Sequence, residues 1–424
     1  MGAPVSRRTV LAAGAGAVAG LALPAATLAG ASPATRVGFT LDAEVADAGE
    51  IVTSVTIMAS RFGPVDQTSL TTGTFAVHVK ATSPIPLAGG DAAAVEYDVD
   101  RPVTAVRLDS RGDIVLELGL AAGGAGANTL GYIPSKARNV QLHLDYTIIQ
   151  RAPVVFGCQG PRVIDTFIQG RLSNPEVAAF GHHVSGSGMN YRLYAPADPS
   201  PRAAGRGRHP LIVWLHGGGE GGLPADGYYD NETTLRANRG ALGFATPEAQ
   251  QIFSGAYVVA PQCPSYWMED GPRFAPLVRG LVNELMRRYP VDRARVYVVG
   301  CSNGGYMSLE LTTVYRDLFA ASVPICGVVE PRVSGGAPLV ADADLARITT
   351  PTWLVASLDD TTVDPRANTV HAHDLIPGAL LTLYDRVVWD GVQYYGHWSW
   401  IYVAHNDPVV DGLHLWQWMA RQHQ

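Results

Sequence analysis

The 424-residue chain reads as two regions, an all-β sandwich followed by an α/β unit built on a mainly parallel sheet. Three observations carry this reading. Between Arg36 and Gln150, short stretches alternate apolar with polar residues, the period of half-buried strands. After about Arg151-Ala-Pro-Val-Val, uninterrupted apolar runs alternate with stretches of helical period, as expected for strands covered by helices on both faces. The apolar run Val296-Tyr-Val-Val299 then stops in Gly300-Cys-Ser-Asn-Gly304 before a helix-compatible stretch at 305–315, so a strand turns sharply into a helix.

In the first region Phe75-Ala-Val-His-Val-Lys80, Val103-Thr-Ala-Val-Arg-Leu108 and Gln141-Leu-His-Leu-Asp-Tyr-Thr-Ile148 alternate cleanly, and 37–41, 54–59 and 114–118 are further strands. Six strands in about 115 residues, with turn residues between them, predict an immunoglobulin-like sandwich over 36–150. The Gly-rich stretch 119–128 has no strand-to-helix context and reads as a loop. The second region, 151–424, begins with expected strands at 163–167 and 191–194. His209-Pro-Leu-Ile-Val-Trp-Leu-His216 is its first strongly apolar strand and runs into Gly217-Gly-Gly-Glu-Gly-Gly222. Ala256-Tyr-Val-Val-Ala-Pro-Gln-Cys-Pro264 follows, then a helix with apolar residues at Leu277, Leu281, Leu285 and Met286. Strands at 319–326, 352–356 and 380–387 and a closing helix at 412–421 complete the unit.

The composition is that of an ordinary globular protein, 47% apolar and 16% charged. Net charge is −7, and the basic residues, almost all arginine, form no stripe or patch, so nucleic acid is not an expected partner. Residues 1–31 carry an address. Ser6-Arg7-Arg8-Thr9-Val10-Leu11 is a twin-arginine pattern, an Ala/Gly/Leu run follows, and Ala29-Gly30-Ala31 offers a cleavage site. The expectation is a twin-arginine signal, secretion, and no membrane segment in the mature chain. The four cysteines, Cys158, Cys263, Cys301 and Cys326, are too dispersed for a metal knuckle, and no His/Cys cluster has zinc spacing.

A serine hydroxyl is a weak nucleophile at neutral pH and needs a base, which needs an orienting carboxylate. The small residues around Ser302 let the turn lift its hydroxyl above the sheet and bring the Asn303 N–H to a helix N-terminus, facing a developing oxyanion. A serine in this context is followed along the chain by its acid and then its histidine. Asp360, with Asp359 as second choice, lies just past the strand Trp353-Leu-Val-Ala-Ser-Leu358, where the acid belongs. His397 in Tyr395-Gly-His-Trp-Ser-Trp400 is the expected base. His405, His371 and His373 compete with it, whereas His182 and His183 precede the serine. Gly218, or else Gly219, supplies a second oxyanion N–H from the turn after His216.

Leu215-His-Gly-Gly-Gly-Glu-Gly-Gly222, Ala260-Pro-Gln-Cys-Pro264, Gly300-Cys-Ser-Asn-Gly-Gly-Tyr-Met307 and Gly396-His-Trp-Ser-Trp400 together resemble secreted esterases and prolyl-oligopeptidase-like serine hydrolases of the α/β-hydrolase superfamily. Some of these are similar to polyhydroxybutyrate depolymerases and feruloyl esterases, and some carry an immunoglobulin-like domain ahead of the hydrolase. The resemblance covers about residues 160–424 by motif and 36–150 by domain type only. It implies an α/β-hydrolase fold, a Ser302, Asp360, His397 triad with Gly218 and Asn303 as oxyanion donors, no cofactor, and a small-molecule or polymeric ester as substrate. Asp359-Asp360-Thr-Thr-Val-Asp364 has Asp where these families often have Pro, so Asp359 stays open as the acid. A serine peptidase, a polyester depolymerase and, in a different class, a binding protein on a hydrolase frame are the alternatives. Strand adjacency would allow Cys301 to bond Cys326; a buried free thiol at Cys301 is the competing expectation.

Overall fold

The computed structural model describes residues 35–122, 124–196, 207–331 and 336–424. The twin-arginine segment at 1–31 lies outside the described residues.

In the N-terminal region, the strand Arg36–Ala46 turns back into Gly49–Ile57, and Val103–Leu108 and Ile114–Leu118 extend that sheet to one side. A three-stranded sheet of Tyr97–Arg101, Phe75–Thr82 and His143–Gln150 faces it. Inward residues of both sheets, among them Phe39, Val55, Leu116, Val77 and Tyr146, share one core. Alternation placed these residues: Arg36–Ala46 buries every second side chain from Val37 to Val45.

The region reaches further along the chain than its alternation suggests, which corrects the boundary at 150 and 151. The stretch expected as the first strand of the α/β unit becomes Thr166–Ser173, and it pairs in parallel with Arg36–Ala46 at the sandwich edge. The divide falls near Asn174, whose side chain caps the short helix Pro175–Ala178. A parallel edge strand far along the chain leaves no local turn signal, so periodicity alone could not assign it. The hairpin Leu130–Ile133 with Arg138–Gln141 was also illegible, each of its strands being only four residues long.

The α/β unit is an eight-stranded sheet among the described residues, in the order Phe180–Val184, Asn190–Tyr194, Tyr257–Pro261, His209–Leu215, Val291–Cys301, Ala321–Ile325, Trp353–Ser357, Leu380–Tyr384. The first two strands are antiparallel to their neighbours and the rest run parallel. Alternate residues of one strand feed opposite cores. Leu211, Val213 and Leu215 face the layer containing the helix Gly271–Arg288, while Ile212 and Trp214 face the layer closed by Leu415–Ala420. That helix begins where Asp270 accepts the Arg273 N–H, and it buries Phe274, Val278, Leu281, Val282 and Leu285 along one side. Leu277 and Met286 sit at the edge of this buried stripe. None of the described helices is long and apolar enough to cross a membrane.

The two regions are joined by a buried ladder of charges. Glu50, 1% exposed, accepts from Thr129 Oγ1 at 2.6 Å and from Asn174 Nδ2 at 2.7 Å, and it pairs with Arg236. Arg236 also binds Glu232, which in turn pairs with buried Arg192 on the sheet. Asp47–His405 and Glu176–Arg239 flank the ladder. Removing one partner of a buried pair leaves the other charge uncompensated, typically a loss of about 3–5 kcal/mol. Glu50→Ala is therefore expected to lower the denaturation midpoint well below that of the wild type, and Glu50→Met with Arg236→Met is expected to recover part of the loss. Denaturant titrations of the three proteins measure this, and an unchanged midpoint in Glu50→Ala would contradict the ladder's role.

Candidate active site

Ser302 lies between the strand Val291–Cys301 and the helix Asn303–Val314, with φ 53° and ψ −111°. A left-handed φ is unusual for a residue with a Cβ, and such strain, about 1–3 kcal/mol, must be fixed by its surroundings. The Ser302 N–H donates to the Ile325 carbonyl on the neighbouring strand at 2.8 Å, and the Ser302 carbonyl accepts from the Tyr306 N–H. Gly304 explains the second glycine of the motif: a Cβ there would meet the Leu215 carbonyl oxygen at 2.0 Å. The helix therefore crosses directly over the end of the His209–Leu215 strand.

Asp360 and His397 meet at the same end of the sheet. His397 Nδ1 and Asp360 Oδ2 are 2.7 Å apart, with both residues buried. The other carboxylate oxygen, Oδ1, accepts the N–H groups of Thr362 and Val363 at 2.8 and 2.9 Å, which fixes the side chain. Asp359 turns elsewhere and accepts from Ser357 Oγ at 2.5 Å, so of the two aspartates it is Asp360 that reaches the histidine. The competing histidines are engaged apart from this cluster, His405 with Asp47, His371 with Asp342 and His373 with Asp374. The serine turn and the histidine loop share a neighbour. Cys326 follows Ile325, which accepts from Ser302, and its thiol donates to the His397 carbonyl at 3.4 Å. Burial alone would lower the pKa of His397. The Cys326 sulfur and the Asp360 carboxylate beside the ring outweigh it and hold the value above that of an ordinary histidine.

Cys326, Asp360 and His397 place a sulfur, an oxygen and a nitrogen within 4.8 Å of one another, the one such metal-like cluster among the described residues. Within this group Oδ1 of Asp360 is held by the Thr362 and Val363 N–H groups and Oδ2 by His397. All four cysteines are free. Cys301 and Cys326 sit at the ends of adjacent parallel strands, Cys301 opposite Ile325, and Cys263 follows the strand on the far side of His209–Leu215.

The turn after His216 approaches the serine from the neighbouring strand. A side chain on Gly218 would lie 3.7 Å from Asn303 Nδ2, and Asn303 Oδ1 accepts from the Met268 N–H at 3.0 Å. The turn is built on a neutral histidine. His216 is 1% exposed, Nδ1 donates to the Gly217 carbonyl at 2.6 Å, and Nε2 accepts the Cys263 N–H at 2.9 Å. A ring nitrogen that accepts from a backbone N–H cannot carry a proton, and burial accordingly pushes the His216 pKa down to about 4. The 3.9 Å approach of Glu220 to this ring is therefore no ion pair.

Of the aromatic residues near these motifs, Trp267 is fully buried against His216 and Phe274, a core position. Tyr395 is 48% exposed and its hydroxyl bridges Thr361 and Thr362 beside the acid loop. Trp400 stands edge-on to His397 with ring centroids 5.6 Å apart. Sequence reasoning missed Cys326 as a neighbour of the histidine and missed Arg138, Asn139 and Tyr266 beside the His216 turn. Only Cys326 had a usable signal, its place at the end of the strand next to the serine turn.

Asp360→Asn is expected to lower turnover about 10⁴-fold by favouring the wrong histidine tautomer, with the fold intact. Asp359→Asn is expected to change it less than tenfold. Steady-state kinetics on the two purified variants separate them, and the reverse order of effects would assign the acid to Asp359.

Comparisons with known proteins agree with this architecture. The family model described as the prolyl oligopeptidase family matches residues 279–338, the segment that contains the serine turn. The candidate esterase NocK of Nocardia uniformis subsp. tsuyamanensis is 31% identical over 172 residues, 39% of this chain; the match spans 47% of NocK, so the chain covers about half the length of this curated relative. The crystal structure of a thermostable esterase superposes over 91% of this chain and 99% of its own, with a TM-score of 0.69 and 25% identity. The chain is thus similar to an esterase along nine-tenths of its length, sandwich included, and it carries the α/β-hydrolase fold.

Proposed function

We propose that the protein is a serine hydrolase that cleaves carboxylic esters through an acyl-enzyme, with Ser302 as nucleophile, His397 as base and Asp360 as its orienting acid. The observation that carries this reading is the 2.7 Å His397–Asp360 contact, buried at the sheet end where the strained Ser302 turn emerges. Ser302 Oγ attacks the ester carbonyl while His397 Nε2 takes its proton. The tetrahedral oxyanion is held by the N–H of Asn303 and that of Gly218, or of Gly219, each worth about 3 kcal/mol in the transition state. His397 then protonates the leaving alcohol, and water attacks the acyl-enzyme by the same steps in reverse. Asp360 orients the ring and stabilises the imidazolium that forms.

The likeness to esterases over most of the chain favours an ester substrate, small or polymeric. A peptide substrate is the second reading, favoured by the prolyl oligopeptidase match across the serine turn. Two facing sheets around one core support the immunoglobulin-like description of the N-terminal region. Arg7 and Arg8 support export by the twin-arginine route, which cell fractionation would overturn by finding the protein in the cytoplasm.

A panel of p-nitrophenyl esters, aryl esters, a polyester emulsion and peptide anilides tests the activity. Turnover of at least one ester, and a loss of about a million-fold in Ser302→Ala, are expected. Cleavage of anilides alone would select the peptidase reading. Ser302→Ala within tenfold of an active wild type would point to a different nucleophile, and no turnover of any substrate by the wild type would leave a binding protein.

A further inference from the structure

The turn that presents Gly218 and Gly219 is walled on its outer side by the other region of the chain. The sandwich hairpin, Leu130–Ile133 and Arg138–Gln141, lies against it. The Arg138 guanidinium stacks on Tyr266 with its central carbon 3.3 Å from the ring centroid, and the Tyr266 hydroxyl donates to the Lys136 carbonyl of the same hairpin. Tyr266 in turn covers Gly218, where its Cε1 would lie 3.3 Å from an added Cβ. Asn139 covers Gly219, its Nδ2 2.8 Å from the corresponding point. The hairpin itself is tied down by Lys136–Asp226 at 2.9 Å and by the Gln141 N–H donating to Tyr228 Oη at 2.7 Å.

Arg138 is the unusual member. It is 2% exposed, its Nε has no hydrogen-bond partner, and among the described residues its one hydrogen bond runs to the adjoining Ala137 carbonyl. A cation buried with so little pairing needs a reason to be there. Glu220 closes the same turn. Its Oε2 is also buried without a partner, burial pushes its pKa up to about 7, and the positive charge of Arg138 opposes that rise. Stacking on Tyr266 sets Arg138 against the side chain that covers Gly218, so the sandwich grips the turn through a planar cation.

We propose that Arg138 is a positioning residue for the oxyanion donors, holding the 217–220 turn through Tyr266 although it belongs to the N-terminal region. The proposal rests on the Ser302 hydrolase reading. A turn free to shift loses transition-state stabilisation while ground-state binding is little changed, and an oxyanion donor out of place typically costs about 10²–10³ in turnover.

The test uses full-length Arg138→Met, Arg138→Lys and Tyr266→Leu with a p-nitrophenyl ester, and a fluorophosphonate whose adduct on Ser302 places an oxygen in the same hole. Expected in each variant are a kcat about 30-fold or more below wild type, KM within about threefold, and a phosphonylation rate that falls in parallel. Complete eventual labelling and an unchanged thermal midpoint would show that the fold is intact. If Arg138→Met does not accumulate folded, Arg138→Lys decides by the same numbers, since it keeps the charge and loses the planar stack. Turnover and labelling within threefold of wild type would overturn the proposal. So would a raised KM with unchanged kcat, which would make Arg138 a substrate contact. Wild-type protein that is neither labelled at Ser302 nor active on esters would remove the hydrolase reading itself. Active, labelled wild type with indifferent variants would remove only the role of Arg138.

Discussion

At Gly304 the helix after the serine comes within van der Waals contact of the neighbouring strand, leaving no room for a Cβ against the Leu215 carbonyl. This approach fixes two parts of the site at once. It holds Ser302 in a backbone conformation that an isolated chain would leave, and it sets the distance from the serine to the turn that begins at His216, directly after Leu215. The strain at Ser302 is distributed over its hydrogen bonds to Ile325 and Tyr306 and over a helix packed in the sheet's core. Parallel strands on either side, His209–Leu215 and Ala321–Ile325, then lead into the glycine turn after His216 and into Cys326, which contacts the histidine loop.

Burial decides the charge states around this centre. His216 and His397 are both nearly inaccessible, yet their surroundings push them in opposite directions. His216 is locked neutral by one backbone acceptor and one backbone donor, which suits a scaffold that must not move or titrate. His397 faces a carboxylate that is itself pinned by two backbone N–H groups, so a proton on the imidazole is stabilised when it arrives. The same buried environment makes a cation such as Arg138 costly to hold, which is why its position next to the glycine turn carries information.

The α/β half was legible because its strands are covered on both faces and its chemistry lies at strand ends. Leu211–Leu215 could hardly be anything but a central strand, and Asp360 and His397, which follow Ser302 along the chain, do meet each other at 2.7 Å. From sequence Asp360 is the first choice and Asp359 the second; adjacent residues in a loop differ only in direction, which the Thr362 and Val363 amides set by holding Asp360 toward His397. The limit of the sandwich was misplaced because Thr166–Ser173 finds its partner about 130 residues upstream. Arg138, Asn139 and Tyr266 gave no signal at all. Their meeting depends on how the two regions dock, which the Glu50–Arg236–Glu232–Arg192 ladder fixes and no local pattern announces.

The central claim is that Ser302 forms a covalent acyl intermediate with the help of His397. Rapid-quench mass spectrometry with p-nitrophenyl acetate tests it most directly, using Asp360→Asn or low pH to slow deacylation. One acetyl group per protein is expected, located on the peptide that contains Ser302 and absent from Ser302→Ala. Ester turnover without an acyl adduct, or an adduct on any other residue, would contradict it.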